Sequence, residues 1–246
     1  MNDNIVFLDF DGVLYNTVKE AYAVATITYG KYSSIEEIDY SNNHYKDFYK
    51  LRYLVGPAWN YKYILELMDT AIDMKDFERK YKLLINDVDV DDYNGFEETF
   101  FINRNKIKKI DFDKWFRLNE PYTFLNGIKK YLLNMQDKFF IVTTKDKETV
   151  LRLLEIENIS FTSDRVYDKE DFQYHGSKSK IIESIITREN IKKAIFIDDS
   201  AHHLQSCVNI PNLLLLQASW GYTSENDKNT STENQIISEI EKLIGH

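Results

Sequence analysis

The sequence predicts an α/β protein, a doubly wound parallel sheet with an all-helical domain inserted into it. Three observations predict it. Ile5-Val6-Phe7-Leu8 is a continuous run of large apolar residues, the pattern of a strand buried on both faces beneath covering helices. The runs within Lys138–Thr144 and Ala194–Ile197 repeat it, with helical periodicity between, and that alternation forms a parallel sheet with right-handed crossovers. Between the first run and the second, a stretch of domain size, on the order of a hundred residues, carries helical spacing alone.

In chain order, Asp9-Phe10-Asp11-Gly12-Val13-Leu14 leaves the first strand, and apolar residues then recur at helical spacing over Tyr15–Tyr29, Tyr45–Leu54, Asn60–Ile72, Asp76–Ile85 and Phe96–Ile107. Gly30, Pro57 and Gly95 punctuate these segments. Their Tyr and Phe stripes read as the core of a helical bundle rather than as a ring-binding box. Pro121 marks a joint, after which Tyr122–Met135 reads as a helix and Lys138–Thr144 as a second buried strand ending in hydroxyls. Helices are expected over Lys147–Glu157 and Ser177–Arg188, with a short strand within Phe161–Asp168. The strand ending at Ile197 leads into a helix that reaches Cys207. Asn212-Leu213-Leu214-Leu215-Leu216 reads as a last buried strand, Thr223–Thr230 as a mobile polar surface loop and Thr232–Ile244 as the closing helix. The expected division is a core of residues 1–14 and 120–246 and a helical cap of residues 15–119.

With 246 residues, 43% hydrophobic and 29% charged, the chain has the composition of a globular protein able to bury one large core or two smaller ones. A net charge of -9 argues against a general nucleic-acid or anionic-membrane binder, since both need a basic face. The single Cys207 forms no internal disulfide and is expected as a small buried residue, which fits a reducing cytoplasm. Met1-Asn2-Asp3-Asn4 lacks the positive start of a signal peptide, and no apolar run is long enough to span a bilayer.

A parallel sheet binds its ligand beyond the carboxyl ends of its strands. Period-two geometry points Asp9 and Asp11 to the same side there, and Gly12 lets the backbone turn away or approach a ligand closely. Two carboxylates so placed repel unless a cation or a proton intervenes. An Asp at a strand end also serves simply to cap the next helix. That reading weakens because Ile197-Asp198-Asp199 repeats the design: four acids gathered by two strands of one sheet would be costly without a metal.

Asp9-Phe10-Asp11-Gly12-Val13-Leu14 together with Ile197-Asp198-Asp199 resembles the haloacid dehalogenase-like hydrolase superfamily, whose members are mostly magnesium-dependent phosphatases. The resemblance covers the expected core; the segment between the motifs matches only in being helical. It implies a Rossmann-like core with a helical cap, and a Mg2+-dependent phosphomonoester hydrolase acting on a small phosphorylated metabolite through an aspartyl-phosphate. It implies Asp9 as nucleophile, and Asp11 as the acid that protonates the leaving oxygen and later deprotonates water. Asp11 also favours phosphate ester over carbon–halogen cleavage. Asp9, Asp198, Asp199 and the Asp11 carbonyl are the implied Mg2+ ligands, with Asp198 binding directly or through water, since many relatives have Gly-Asp at this point. Thr143 is the implied phosphoryl-binding hydroxyl, with Thr144 contributing its amide or standing as the alternative. Lys178 best matches the position of the family's lysine, with Lys180 and Lys145 as rivals.

Arg52, within Lys50–Tyr61, is a candidate to grip an anionic substrate group, or else a surface arginine beside a helix joint. His202 and His203 lack the partners of a metal motif and read as structural. The rival functions are a phosphomutase of the same fold and a catalytically silent module that binds a phosphorylated metabolite. No nucleic-acid or membrane partner is expected, and the chain carries no signature of oligomeric state.

Overall fold

The computed structural model describes residues 4–70, 73–88 and 90–245. These divide into two compact units, one running through Asn16 and again from Glu120 onward, the other Thr17–Asn119. The chain begins as β1 (Asn4–Leu8), with Ile5 to Leu8 buried on both faces. It then turns tightly: the Phe10 carbonyl accepts from the amides of Leu14 and Tyr15 at 2.9 and 3.0 Å, and Gly12 takes a φ of 85°. That is the left-handed region, which glycine enters without a steric penalty. The turn leads to β2 (Tyr15–Asn16).

The helical unit comprises α1 (Val18–Thr28), α2 (Asn43–Leu51), α3 (Asn60–Met68), α4 (Met74–Asn86), α5 (Val90–Ile110) and α6 (Phe112–Phe116). Asn42, Asp73 and Asp111 start α2, α4 and α6 by accepting a backbone amide on the side chain. The core of this unit is aromatic, with Tyr22, Phe48, Tyr61 and Phe100 in successive ring contact at 5.0, 5.5 and 5.4 Å between centroids. Glu20, fully buried, accepts two hydrogen bonds from Arg104 at 2.7 and 2.8 Å and a third from the Trp115 indole at 3.1 Å, tying α1, α5 and α6 together. The first helix starts at Val18 rather than Tyr15 because Tyr15 and Asn16 are paired as a strand. The expected end of the third helix, at Ile72, lies outside the described residues, and α6 was not anticipated.

Returning to the first unit, β3 (Glu120–Pro121) pairs antiparallel with β2, setting Asn16 opposite Glu120. There follow α7 (Thr123–Asn134), β4 (Phe139–Val142), α8 (Lys147–Ile156), β5 (Val166–Tyr167), α9 (Lys169–His175), α10 (Lys178–Glu189), β6 (Lys193–Asp198), α11 (Ala201–Ser206), β7 (Leu213–Ala218), β8 (Thr230–Ser231) and α12 (Glu233–Ile244). The main sheet has the order β5-β4-β1-β6-β7-β8, with every pairing parallel. It is the doubly wound α/β sheet that the alternation predicts. On one face Ile5, Phe7, Phe140 and Phe196 pack with Ile181, Ile182 and Ile185 of α10 and with Leu204 and Cys207. Cys207 is buried and unbridged.

Two expectations change. The Leu run of β7 is only part-buried, with Leu214 44% exposed, because only the two-residue β8 lies beyond it in the sheet. The polar loop expected over Thr223–Thr230 ends one residue earlier, because Thr230 opens β8; within it Asp227 accepts from the Gln217 side chain at 2.8 Å and from the Ser224 amide at 3.1 Å. Among the described residues no helix is long and apolar enough to cross a membrane.

A candidate functional site at the strand ends

The register of the sheet decides which side chains meet. β1 lies between β4 and β6, with Leu8 opposite Ile141 and Ile197, so the residues just past these positions converge at one mouth. The Asp9 amide still donates to the Ile197 carbonyl at 2.9 Å, which holds Asp9 beside Asp198. Both carboxylates are buried, with Asp9 5% and Asp198 0% exposed. Charge buried at that depth needs a partner. Lys178, 1% exposed, supplies it, its Nζ lying 2.8 Å from Asp9 Oδ2 and 2.8 Å from Asp198 Oδ2.

Lys178 is the first residue of α10, capped by Ser177, where the helix dipole disfavours a cation. Its place there is set by the two acids it faces. Burial works against its charge, but Asp198 and Asp9 outweigh that and hold the ammonium protonated, above its ordinary range. Burial likewise works to raise Asp198, yet Lys178 and His203 outweigh it and keep this carboxyl well below the usual range. Asp9 goes the other way. Burial, with the Asp198 charge adding to it, pushes Asp9 up to about 6 against the pull of Lys178 and His203.

Asp11 sits two residues on, and its Oδ1 lies 3.1 Å from the Lys145 ammonium. Thr143 is buried just past β4, while Thr144 is exposed. The Thr143 hydroxyl oxygen accepts from the Lys145 amide at 3.2 Å, a tight turn that swings Lys145 back to the strand end. Lys180 is exposed. The structure therefore brings Asp9, Asp11, Gly12, Thr143, Lys178, Asp198 and Lys145 to the carboxyl ends of β1, β4 and β6. Arg52 belongs to the helical unit, in a single turn after α2, where its Nη1 donates to the Val55 carbonyl at 3.1 Å and its guanidinium lies 5.6 Å from the Tyr61 ring centre.

Asp199 is 4% exposed, and its Oδ2 accepts from the Tyr222 amide at 2.6 Å. A Cβ at Gly12 would fall 2.1 Å from Asp199 Oδ2, so the Asp199 carboxylate lies against the backbone of the Asp9–Gly12 turn, in space that only glycine leaves open. Among the described residues, Asp9, Asp198 and His203 form a group whose donor atoms lie within 4.8 Å of one another. A cation already occupies that group, because the Lys178 ammonium stands between the two carboxylates, and His203 Nδ1 lies 3.2 Å from Asp198 Oδ2. The Asp199 carboxylate, set against the Gly12 backbone, is an oxygen donor of the kind a hard divalent cation takes.

Sequence reasoning set His203 aside, yet the capped start of α11 at Ser200 turns it back onto Asp198. It also overlooked Gln217, Trp220, Gly221 and Tyr222. The signal was available: β7 is a parallel strand of the same sheet, so the loop at its carboxyl end opens toward the same mouth.

Residues 4–209 match the family model of the haloacid dehalogenase-like hydrolases. No curated protein matches the chain. Among solved structures, a haloacid dehalogenase-like family hydrolase from Streptococcus pneumoniae superposes with a TM-score of 0.58 at 15% identity, covering 97% of this chain and 99% of that one. A protein from Lactobacillus delbrueckii, provisionally named a phosphoglycolate phosphatase, gives 0.64 at 12% identity over 100% of both chains. A predicted phosphatase from Clostridium acetobutylicum gives 0.57 at 17% identity, covering 98% of this chain and 99% of that one. At these identities the likeness is one of fold.

Proposed function

The chain belongs to the haloacid dehalogenase-like hydrolase family, and we propose that it is a Mg2+-dependent phosphatase that cleaves the monoester of a small phosphorylated metabolite through an aspartyl-phosphate. The observation that carries this reading is the Lys178 ammonium 2.8 Å from both Asp9 and Asp198 at the carboxyl ends of β1 and β6. A buried carboxylate so placed is oriented, partly neutralised and set at the mouth where the fold receives ligands. The names of two structural neighbours, both phosphatases, agree with it.

In this reading an Asp9 oxygen attacks phosphorus as the bond to the ester oxygen breaks, and Asp11 gives its proton to the departing alkoxide. The Lys145 ammonium lies 3.1 Å from Asp11 Oδ1 and positions that side chain. Asp11 then takes a proton from water, whose oxygen attacks phosphorus, releasing inorganic phosphate and restoring Asp9. The Thr143 hydroxyl, the Thr144 amide and the backbone at Gly12 hold the phosphoryl oxygens. Asp9, Asp199 and the Asp11 carbonyl would hold Mg2+, which supplies positive charge for the transferring group. Asp198, already engaged by Lys178, His203 and the Ser200 amide at 2.8 Å, orients the lysine and acts on the cation at most through water. A carboxyl that burial pushes up to about 6 despite an adjacent lysine gains from a further positive charge, which is the fit expected of a metal ligand. Arg52 is proposed to meet an anionic group of the substrate.

The test is release of phosphate from p-nitrophenyl phosphate, with Mg2+ and with EDTA. Turnover is expected with Mg2+ alone, and Asp9→Asn is expected to lower it at least about 1,000-fold. Full turnover in EDTA would remove the metal from this reading, and full turnover by Asp9→Asn would remove the nucleophile.

A further inference from the structure

The loop that follows β7 touches both of the segments that carry the acids. Gly221 packs so closely that a Cβ there would fall 2.3 Å from the Gly12 carbonyl oxygen and 2.4 Å from Asp199 Cβ. The next residue, Tyr222, donates its amide to Asp199 Oδ2 at 2.6 Å. The preceding residue, Trp220, donates its indole N–H to the Val13 carbonyl at 3.0 Å and sets its ring 4.8 Å from that of Phe124. Behind them Gln217, at the end of β7, donates to the Asp199 carbonyl at 2.9 Å and to Asp227 at 2.8 Å. Three consecutive residues thus hold the turn after β1 and the acid after β6 against each other.

We propose that Trp220-Gly221-Tyr222 is a positioning element for the cation site: it fixes the Asp199 carboxylate against the Asp9–Gly12 turn, and so sets the affinity for Mg2+. The inference rests on the reading of Asp199 as a ligand given above. Nothing in the loop reacts with substrate. Its contribution is to limit where the Asp199 oxygens point, through one amide and through the absence of a side chain at Gly221. Such contacts behind a ligand tune metal affinity and activity about 10- to 100-fold in metal sites generally.

Mg2+ affinity of the metal-free full-length chain, measured by calorimetry and by the Mg2+ dependence of its thermal midpoint, tests this, with kcat and KM for p-nitrophenyl phosphate alongside. Gly221→Ala is expected to weaken Mg2+ binding at least about tenfold and to lower kcat while KM changes little. Trp220→Phe keeps a ring against Phe124 and loses only the bond to Val13, so it serves where Gly221→Ala fails to fold; a fewfold loss of Mg2+ affinity is expected. A purely structural role would lower the thermal midpoint of both variants equally with and without Mg2+, and affinity equal to wild type in a folded variant overturns the proposal. Wild-type protein that neither binds Mg2+ nor releases phosphate would instead overturn the function itself, so the two failures are told apart.

Discussion

Lys178 shows most plainly how single residues divide the work at the strand ends. It is fully buried and faces two carboxylates, so its removal would leave Asp9 and Asp198 opposed with no cation between them. Breaking a buried ion pair from one side costs about 3 to 5 kcal/mol, because the abandoned charge has no water to turn to. Lys178→Met is therefore expected to lower the free energy of unfolding by roughly that amount in urea titrations at neutral pH, and to abolish turnover. Adding Asp198→Asn to Lys178→Met removes one of the opposed charges and is expected to recover at least about 1 kcal/mol, a coupling that additive effects would not give. The lysine's neighbourhood was legible in the sequence only through a motif position, since three lysines competed and nothing in composition says which is buried. His203 was not legible at all. Its approach to Asp198 depends on where Ser200 caps α11, a fact of backbone geometry rather than of residue type.

Elements with one unbroken apolar signal, β1 and β6 above all, could be read directly, because a strand buried on both faces admits few polar residues. Elements held by caps and neighbours could not: α9 is polar and rests on the Asp168 capping box, and β8 exists through its pairing with Gln217 and Ala218. The helical unit depends on tertiary polar contacts of the same hidden kind. Glu20 and Arg104 tie α1 to α5 by a bidentate pair, and Arg104→Met is expected to cost about 3 to 5 kcal/mol by leaving the Glu20 carboxylate buried, with part restored in Glu20→Gln/Arg104→Met. A second contact makes this unit pH-sensitive. His44 in α2 lies 2.8 Å from the Tyr22 hydroxyl, 3.0 Å from the Lys31 ammonium and 3.5 Å from Asp69. Burial, then Lys31, lowers its pKa, against the opposing pull of Asp69 and Asp47. The folded state thus prefers neutral His44 and the unfolded state binds more protons, so this contribution is present above the ordinary histidine range, about pH 6.5, and is lost as pH falls through the lower folded pKa. His44→Gln should lose less of its thermal midpoint than wild type between pH 7 and pH 5; an identical decline in both would remove His44 from the account.

For the whole molecule, the decisive feature is where the helical unit leaves and rejoins the sheet-bearing unit. Asn16 and Glu120 are register partners in the β2–β3 pair, so the chain departs and returns at adjacent points. The Leu14 carbonyl also accepts from the Tyr122 amide at 2.9 Å, which extends the pairing beyond the strands themselves. Two antiparallel strands whose ends lie side by side can be closed by a two-residue turn, and Asn-Gly supplies the positive φ that such a turn needs. Every residue gathered at the strand ends, from Asp9 to Tyr222, lies outside Thr17–Asn119. Replacing residues 17–119 by Asn-Gly is therefore expected to give a protein that unfolds cooperatively and still releases phosphate from p-nitrophenyl phosphate with Mg2+. If the helical unit supplies the groups that choose the ester, Arg52 among them, the shortened protein should lose discrimination among phosphorylated metabolites while full-length protein keeps it. Binding contacts remote from the reacting atoms raise kcat as well as affinity, so kcat for the preferred metabolite should fall further than kcat for the aryl ester. Equal selectivity before and after excision would place the choice of substrate within the sheet-bearing unit, and loss of folding would show that the β2–β3 closure does not hold that unit together.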